Sequence, residues 1–153
     1  MSLNKFTTQK SFAISAGAGS GKTYTLSRRY INAILGFDFF REKGFEDTYF
    51  ENLKPATTKQ IVTITYTEAA ALEMKERIFG LISKILMVDK LEDTDGDKDS
   101  IVEAFKSLNL EQKSYVIDTL QQALVQSSDS KISTIHSFCL DILKTNADIA
   151  KFD

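Results

Sequence analysis

Ala16-Gly17-Ala18-Gly19-Ser20-Gly21-Lys22-Thr23 sets three glycines, two alanines and a serine ahead of a Lys-Thr pair. The run follows G-x-x-x-x-G-K-[ST], the pattern of a loop that cradles polyphosphate. Small residues let the backbone wrap closely, so successive N–H groups turn inward as an anion nest at the positive end of the next helix. Lys22 would reach the β- and γ-phosphates, and the Thr23 hydroxyl would enter the first shell of a Mg²⁺ bridging the same oxygens. These two residues carry the catalytic roles, and Tyr24 completes the nucleotide-binding stretch. Ala16 replaces the first glycine, a mild change where positive φ is not demanded.

The flanks agree with this reading. Phe12-Ala13-Ile14-Ser15 reads as a short buried strand, and Thr25 to Ile34 shows helical periodicity through Leu26, Tyr30, Ala33 and Ile34. Farther out, Gln60-Ile61-Val62-Thr63-Ile64-Thr65 is a β-branched run of strand type. The helix after it gathers Met74, Ile78, Leu81, Ile82 and Ile85 on one buried face, with Glu73 and Arg77 on another. Arg77 either braces the nucleotide loop or is solvated. Lys131 to Ile135 gives a third strand, and Phe138 to Ala147 a final helix.

Between these units lie two insertions. Phe37, Phe39, Phe40, Phe45, Tyr49 and Phe50 fall within Phe37 to Pro55. They are expected to pack as a satellite cluster, with base stacking as the alternative. Asp89 to Ser100 is expected to be a mobile solvated loop. It is no calcium loop, since setting Gly96 at the sixth position puts Leu91 and Val102 where carboxylates are needed. Two helices follow, one through Ile101, Val102, Phe105 and Leu108, the other through Ile117, Leu120 and Leu124 with Asn109 as N-cap. Strands alternating with helices mean a parallel sheet covered on both faces, an α/β fold. Its carboxyl edge would carry the glycine loop, Thr65 and His136.

The 153 residues are 42% apolar and 26% charged, ordinary for a globular domain. A formal charge of -2 shows no electrostatic sign of nucleic-acid binding, so local motifs must decide. The single cysteine, Cys139, excludes an intrachain disulfide, fits a reducing compartment and reads as a small buried apolar residue. No stretch is long and apolar enough for a membrane span, and the first residues lack a secretion signal, so the expected location is the cytoplasm.

Two further stretches bear on family. Thr65-Tyr66-Thr67-Glu68-Ala69-Ala70-Ala71-Leu72-Glu73-Met74-Lys75-Glu76-Arg77-Ile78 resembles the Ia motif of UvrD/Rep-type superfamily 1 helicases, T-F-T-x-x-A-A-x-E-M-x-x-R-I. Ser133-Thr134-Ile135-His136-Ser137-Phe138-Cys139 is similar to the T-I-H-[SG]-F-C segment of the RecB/AddA branch, which couples helicase to nuclease. In that family the glycine loop commonly begins with alanine, which accounts for Ala16.

The resemblance implies a partial P-loop NTPase (RecA-like) domain: a parallel sheet flanked by helices, with a helical insertion. Its units would be 1–36 for the phosphate loop, 37–59 for the aromatic insertion, 60–88 for motif Ia, 89–130 for the helical insertion and 131–153 for the Thr-Ile-His-Ser-Phe motif. It further implies ATP and Mg²⁺ as cofactors, single-stranded DNA as partner, a nuclease partner subunit, no membrane, 3′ to 5′ movement and a task in DNA repair or recombination. Tyr66 offers a ring on which a base can stack, where the family usually has phenylalanine. Thr65, Thr67, Thr134, His136 and Ser137 offer short donors to phosphates or sugars. For His136 the alternative is a partly buried ring that satisfies a backbone carbonyl.

Such a motor also needs an Asp-Glu pair and arginines around the γ-phosphate. Ile85 to Asp89 continues a helical face and is followed by Lys90. Tyr115 to Thr119 is also helical and has threonine after Asp118. The missing motifs are therefore expected beyond Asp153. Gln9 is the candidate reader of adenine, although it stands close to the loop. Two other readings are a small P-loop kinase with Asp89 as its magnesium acid, and a degenerate module that binds DNA or a partner without catalysis.

Overall fold

The first helix, α1, spans Lys22–Leu35 in a computed structural model that describes Phe6, Thr8, Ala13 and residues 21–41 and 54–147. Gly21, just before it, has φ 81° and ψ 17°. This is the left-handed region, which costs other L-residues strain, so the last loop glycine is a conformational requirement. Its carbonyl accepts the Thr25 N–H at 2.9 Å, opening the helical ladder. Gly36, also left-handed with φ 75°, ends α1 by donating its N–H to the Asn32 carbonyl. The expected strand Phe12 to Ser15, Ala13 apart, lies outside the described residues, as do Ala16 to Ser20 and Gln9.

Strand β1 is Val62–Thr65, followed by α2, Glu68–Leu86. A 3-10 turn at Val88–Lys90 leads to α3, Lys98–Lys106, and then α4, Leu110–Val125. Strand β2, Lys131–Thr134, feeds directly into α5, Ile135–Thr145. Capping sets the starts. The Asn109 and Gln112 side chains form a reciprocal box on α4, as the asparagine led one to expect. Thr134 caps α5 by accepting the Ser137 N–H at 3.2 Å, so this helix starts three residues before Phe138. Asp89 falls in the 3-10 turn after α2, and Tyr115 to Thr119 lies inside α4. Neither aspartate stands at a strand end.

β1 and β2 pair in parallel, with register Val62↔Lys131 through Thr65↔Thr134. The fold is α/β in kind, with the sheet flanked by helices, α2 and α5 packing against both strands. The expectation that both faces are covered is not met: Val62 and Ile64 are 46% and 45% exposed.

The core lies among the helices. Ile31 and Ile34 of α1, Ile78, Ile82 and Ile85 of α2, and Val116 and Leu120 of α4 are buried together, joined by Ile101 and Phe105 of α3. Every residue of the apolar α2 face read from the sequence is in this cluster. Phe37, Phe39 and Phe40 are buried there too, with the Phe39 ring edge-on to Phe40 at 4.9 Å and to Phe105 at 5.5 Å. Base stacking by these three is thereby excluded. Phe45, Tyr49 and Phe50 lie outside the described residues. Asn32, fully buried, fastens this turn: its amide nitrogen donates to the Phe6 and Phe40 carbonyls, and its oxygen accepts the Phe40 N–H.

The connector from Asp89 to Ser100 is not simply a solvated loop. Asp97 binds the buried Arg28 guanidinium at 2.7 Å, and Lys84 bridges Asp95 and Asp97 at 2.9 and 3.1 Å. Arg28, 2% exposed, lies over the Tyr24 ring at 3.3 Å and reaches the Ser100 hydroxyl. A buried cation needs a fixed counter-charge, and the acidic connector supplies it. Burial works to raise the Asp97 carboxyl, but hydrogen bonds from Arg28 and Lys84 outweigh it and hold the group below the ordinary carboxylate value.

Candidate functional site

At the phosphate-loop end, Gly21, Lys22, Thr23 and Tyr24 are described. The first turn of α1 carries no acidic residue and no side-chain cap. A helix start without an acidic side chain is favourable ground for an anion at the positive helix end. Lys22 is exposed and Thr23 half-buried. Both stand at the positive end of α1, an ammonium and a hydroxyl of the chemistry that a triphosphate and its magnesium would need. Tyr24 is held from below by Arg28, through ring contact and a bond to its carbonyl at 3.5 Å. The Asp97 connector thereby reaches the residue next to Thr23.

At the second end, topology does the assembling. Parallel pairing of Thr65 with Thr134 puts both strand ends side by side, so the turns bearing Tyr66 and His136 are neighbours at the carboxyl edge. Tyr66 is 86% exposed, with its ring face open to solvent. His136 and Ser137 are exposed as well, so the alternative of a partly buried His136 is not what the fold shows.

The hydroxyls are engaged within the frame. Thr65 donates to the Thr67 carbonyl at 3.1 Å, and Thr67 caps α2 by accepting the Ala70 N–H. Thr134 is 4% exposed. It and Ser137 both donate to Oε1 of Glu68, at 2.9 and 3.0 Å. Glu68 has no role in the sequence reading, yet it ties the two turns together. The available signal was an acid opening a helix behind a threonine cap, a favourable place for negative charge.

Two other residues resolve differently. Arg77 is half-exposed and pairs with Glu73 one turn away at 3.3 Å, which makes it a solvated ion pair. Cys139 is exposed, contrary to the buried position expected for it. The reason is that α5 buries none of its residues, leaving Cys139 beside Ile135, His136, Leu140 and Leu143 around a shallow depression. Among the described residues no cluster of three or more His, Cys, Asp or Glu side chains could hold a metal ion, and no helix is long and apolar enough to cross a membrane.

Gly21 thus opens α1, Tyr66 stands exposed just after β1, and His136 stands exposed in the first turn of α5, directly after β2. The model of the UvrD/REP helicase N-terminal domain matches residues 3–153. The chain belongs to this helicase family. Among curated proteins it is 33% identical over 148 residues to an ATP-dependent helicase/nuclease subunit of Clostridium botulinum strain Hall. It is 31% identical over 140 residues to the protein of the same name from Clostridium perfringens. These alignments cover 97% and 92% of the chain and 8% of each relative, so the chain spans a small part of the length of the proteins it matches. Relatives of the helicase/nuclease kind are what the Ser133 to Cys139 form leads one to expect within the UvrD/REP family.

Proposed function

We propose that this chain is the amino-terminal part of the ATP-binding motor domain of a DNA helicase, one that works with a nuclease in DNA repair or recombination. The domain is read as RecA-like, divided into the units 1–36, 37–59, 60–88, 89–130 and 131–153. The observation that carries the reading is the parallel register that sets Tyr66 beside the His136 turn, at the carboxyl edge where an α/β sheet receives its ligands. The exposed apolar face of β1 supports it too, since Val62 and Ile64 are suited to cover by further strands or helices.

In this reading Ala16 to Thr23, with Tyr24, hold ATP. Lys22 neutralises the β- and γ-phosphates, and the Thr23 hydroxyl belongs to the magnesium shell. Bound ATP supplies the phosphoanhydride whose hydrolysis drives movement along a single strand, 3′ to 5′ by family resemblance. Tyr66 stacks a base, while His136 and Ser137 meet the sugar–phosphate backbone. Thr67 and Thr134 shape the turns by capping α2 and α5. The acidic pair that would activate water and the arginines for the γ-phosphate are not found in these 153 residues. The chain by itself is accordingly expected to bind nucleotide weakly, without DNA-stimulated hydrolysis. In the full-length protein, Lys22→Ala should abolish hydrolysis while leaving single-strand binding within about threefold. Robust hydrolysis by residues 1–153 alone, lost in Lys22→Ala, would overturn the assignment as a partial motor.

A further inference from the structure

Ladder pairing between β1 and β2 ends at Thr65↔Thr134. Beyond it the two strands part, β1 through a turn at Tyr66 into α2, and β2 directly into the first turn of α5, which carries His136. Among the described residues, the side-chain hydrogen bonds that cross between these turns all end on one atom, Oε1 of Glu68. Thr134 donates to it at 2.9 Å and Ser137 at 3.0 Å, while the Thr134 hydroxyl oxygen accepts the Ser137 N–H at 3.2 Å. Glu68 is itself the first residue of α2, directly after the Thr67 cap. It stands two residues from Tyr66, and its partners flank His136.

We propose that Glu68 is a positioning residue: a strut that sets the spacing of the Tyr66 ring relative to the His136 turn, so that both engage the same single strand. This rests on the single-strand reading given above. Two hydroxyl donors converging on one carboxylate oxygen form charge-assisted bonds, stronger than neutral ones. They join the two turns where the backbone ladder no longer does. Tyr66, 86% exposed, has little packing of its own to hold its direction. Its placement therefore depends on the turn beneath it.

The charge makes the proposal testable by sign. A carboxylate on a face that meets phosphates opposes binding electrostatically, so removing it should, on charge alone, tighten DNA binding. A strut predicts the reverse for alanine and near-preservation for glutamine, whose amide oxygen accepts from the same two hydroxyls. The experiment uses the full-length protein and a fluorescent oligo-dT strand, with Tyr66→Ala, His136→Ala, Glu68→Ala and Glu68→Gln, and the Tyr66/His136 double-mutant cycle repeated in the Glu68→Ala background. The expected results are about tenfold weaker binding for Glu68→Ala, Glu68→Gln within about threefold of wild type, and loss of the Tyr66–His136 coupling in the alanine background. ATP affinity and the thermal midpoint serve to separate loss of positioning from loss of fold, and the glutamine variant does so independently. If Tyr66→Ala weakens binding but Glu68→Ala binds as tightly as wild type or tighter, or keeps the coupling, the strut is overturned and the single-strand reading stands. If Tyr66→Ala leaves binding unchanged, the single-strand reading fails and the strut falls with it.

Discussion

The helical body and the strand-end edge of this chain are built on opposite terms. In the body, Ile31, Ile78, Ile82, Ile85, Ile101, Val116 and Leu120 have no exposed surface, and even a charged residue, Arg28, is enclosed against a half-buried counter-ion, Asp97. At the edge, apolar Val62, Ile64, Leu140 and Leu143 stay open, α5 buries nothing, and the most enclosed residue is the hydroxyl-bearing Thr134. The body is closed by dense apolar packing, which tolerates no lost volume. The edge is held by caps and hydrogen bonds that engage its hydroxyls, and it leaves the Tyr66 and His136 rings exposed. Stability therefore resides on one side, and the proposed function assigns recognition to the other.

Substitutions should separate the two sides, and the largest effects belong to the body. Ile82→Ala is expected to cost about 2–5 kcal/mol by lost burial and residual cavity, whereas Ile64→Ser should change stability by about 0.5 kcal/mol or less, since that side chain is already wet. Chemical denaturation of both variants tests this, and equal costs would break the comparison.

Next comes the ion pair of the buried Arg28. Asp97→Ala leaves the Arg28 charge enclosed without its partner, at a cost of about 3 kcal/mol. The sign with pH follows from the lowered Asp97 carboxyl. Its contribution is present in full above the ordinary carboxylate range and is lost as pH falls through the lowered native value. Denaturation midpoints of wild type and variant should thus converge in acid, and a gap that persists well below about pH 3 would assign the cost to packing instead.

A smaller effect is expected at the start of α1. Gly21→Ala places a Cβ at φ 81°, worth about 1–2 kcal/mol of backbone strain. Because a Cβ there would meet, among the described residues, only the Tyr24 Cβ at 4.0 Å, the penalty is conformational. It should appear as weaker nucleotide binding in a titration, more than as loss of global stability.

How much of this was legible in the sequence differs between the regions for the same physical reason. Helical periodicity is a local signal, so the buried face of α2 and the Asn109 cap could be read residue by residue. The parallel pairing followed from strand-helix alternation, and the convergence of Thr65 with His136 from the carboxyl-edge rule. Asp97 could not be read this way, because its partner Arg28 is 69 residues distant in the chain and a run of aspartates looks like a solvated loop. Glu68 was equally silent, since its role arises only when β1 and β2 bring Thr134 and Ser137 to it. Cys139 was misjudged because thiols are usually buried, while α5 has no fully buried residue.

The most direct test of the account is the affinity of the full-length protein for a single-stranded oligonucleotide when each of two exposed tyrosines is replaced. Tyr66, at the edge, is 86% exposed, and Tyr115, on the body, is 40% exposed with its hydroxyl donating to the Leu35 carbonyl at 3.0 Å. If the edge is the recognition face, Tyr66→Ala should weaken single-strand binding by about 1–3 kcal/mol, roughly 5- to 150-fold, with the thermal midpoint unchanged. Tyr115→Phe should leave binding at the wild-type value. Unchanged affinity in Tyr66→Ala, or an equal loss in both variants, would contradict the assignment of this edge to single-stranded DNA.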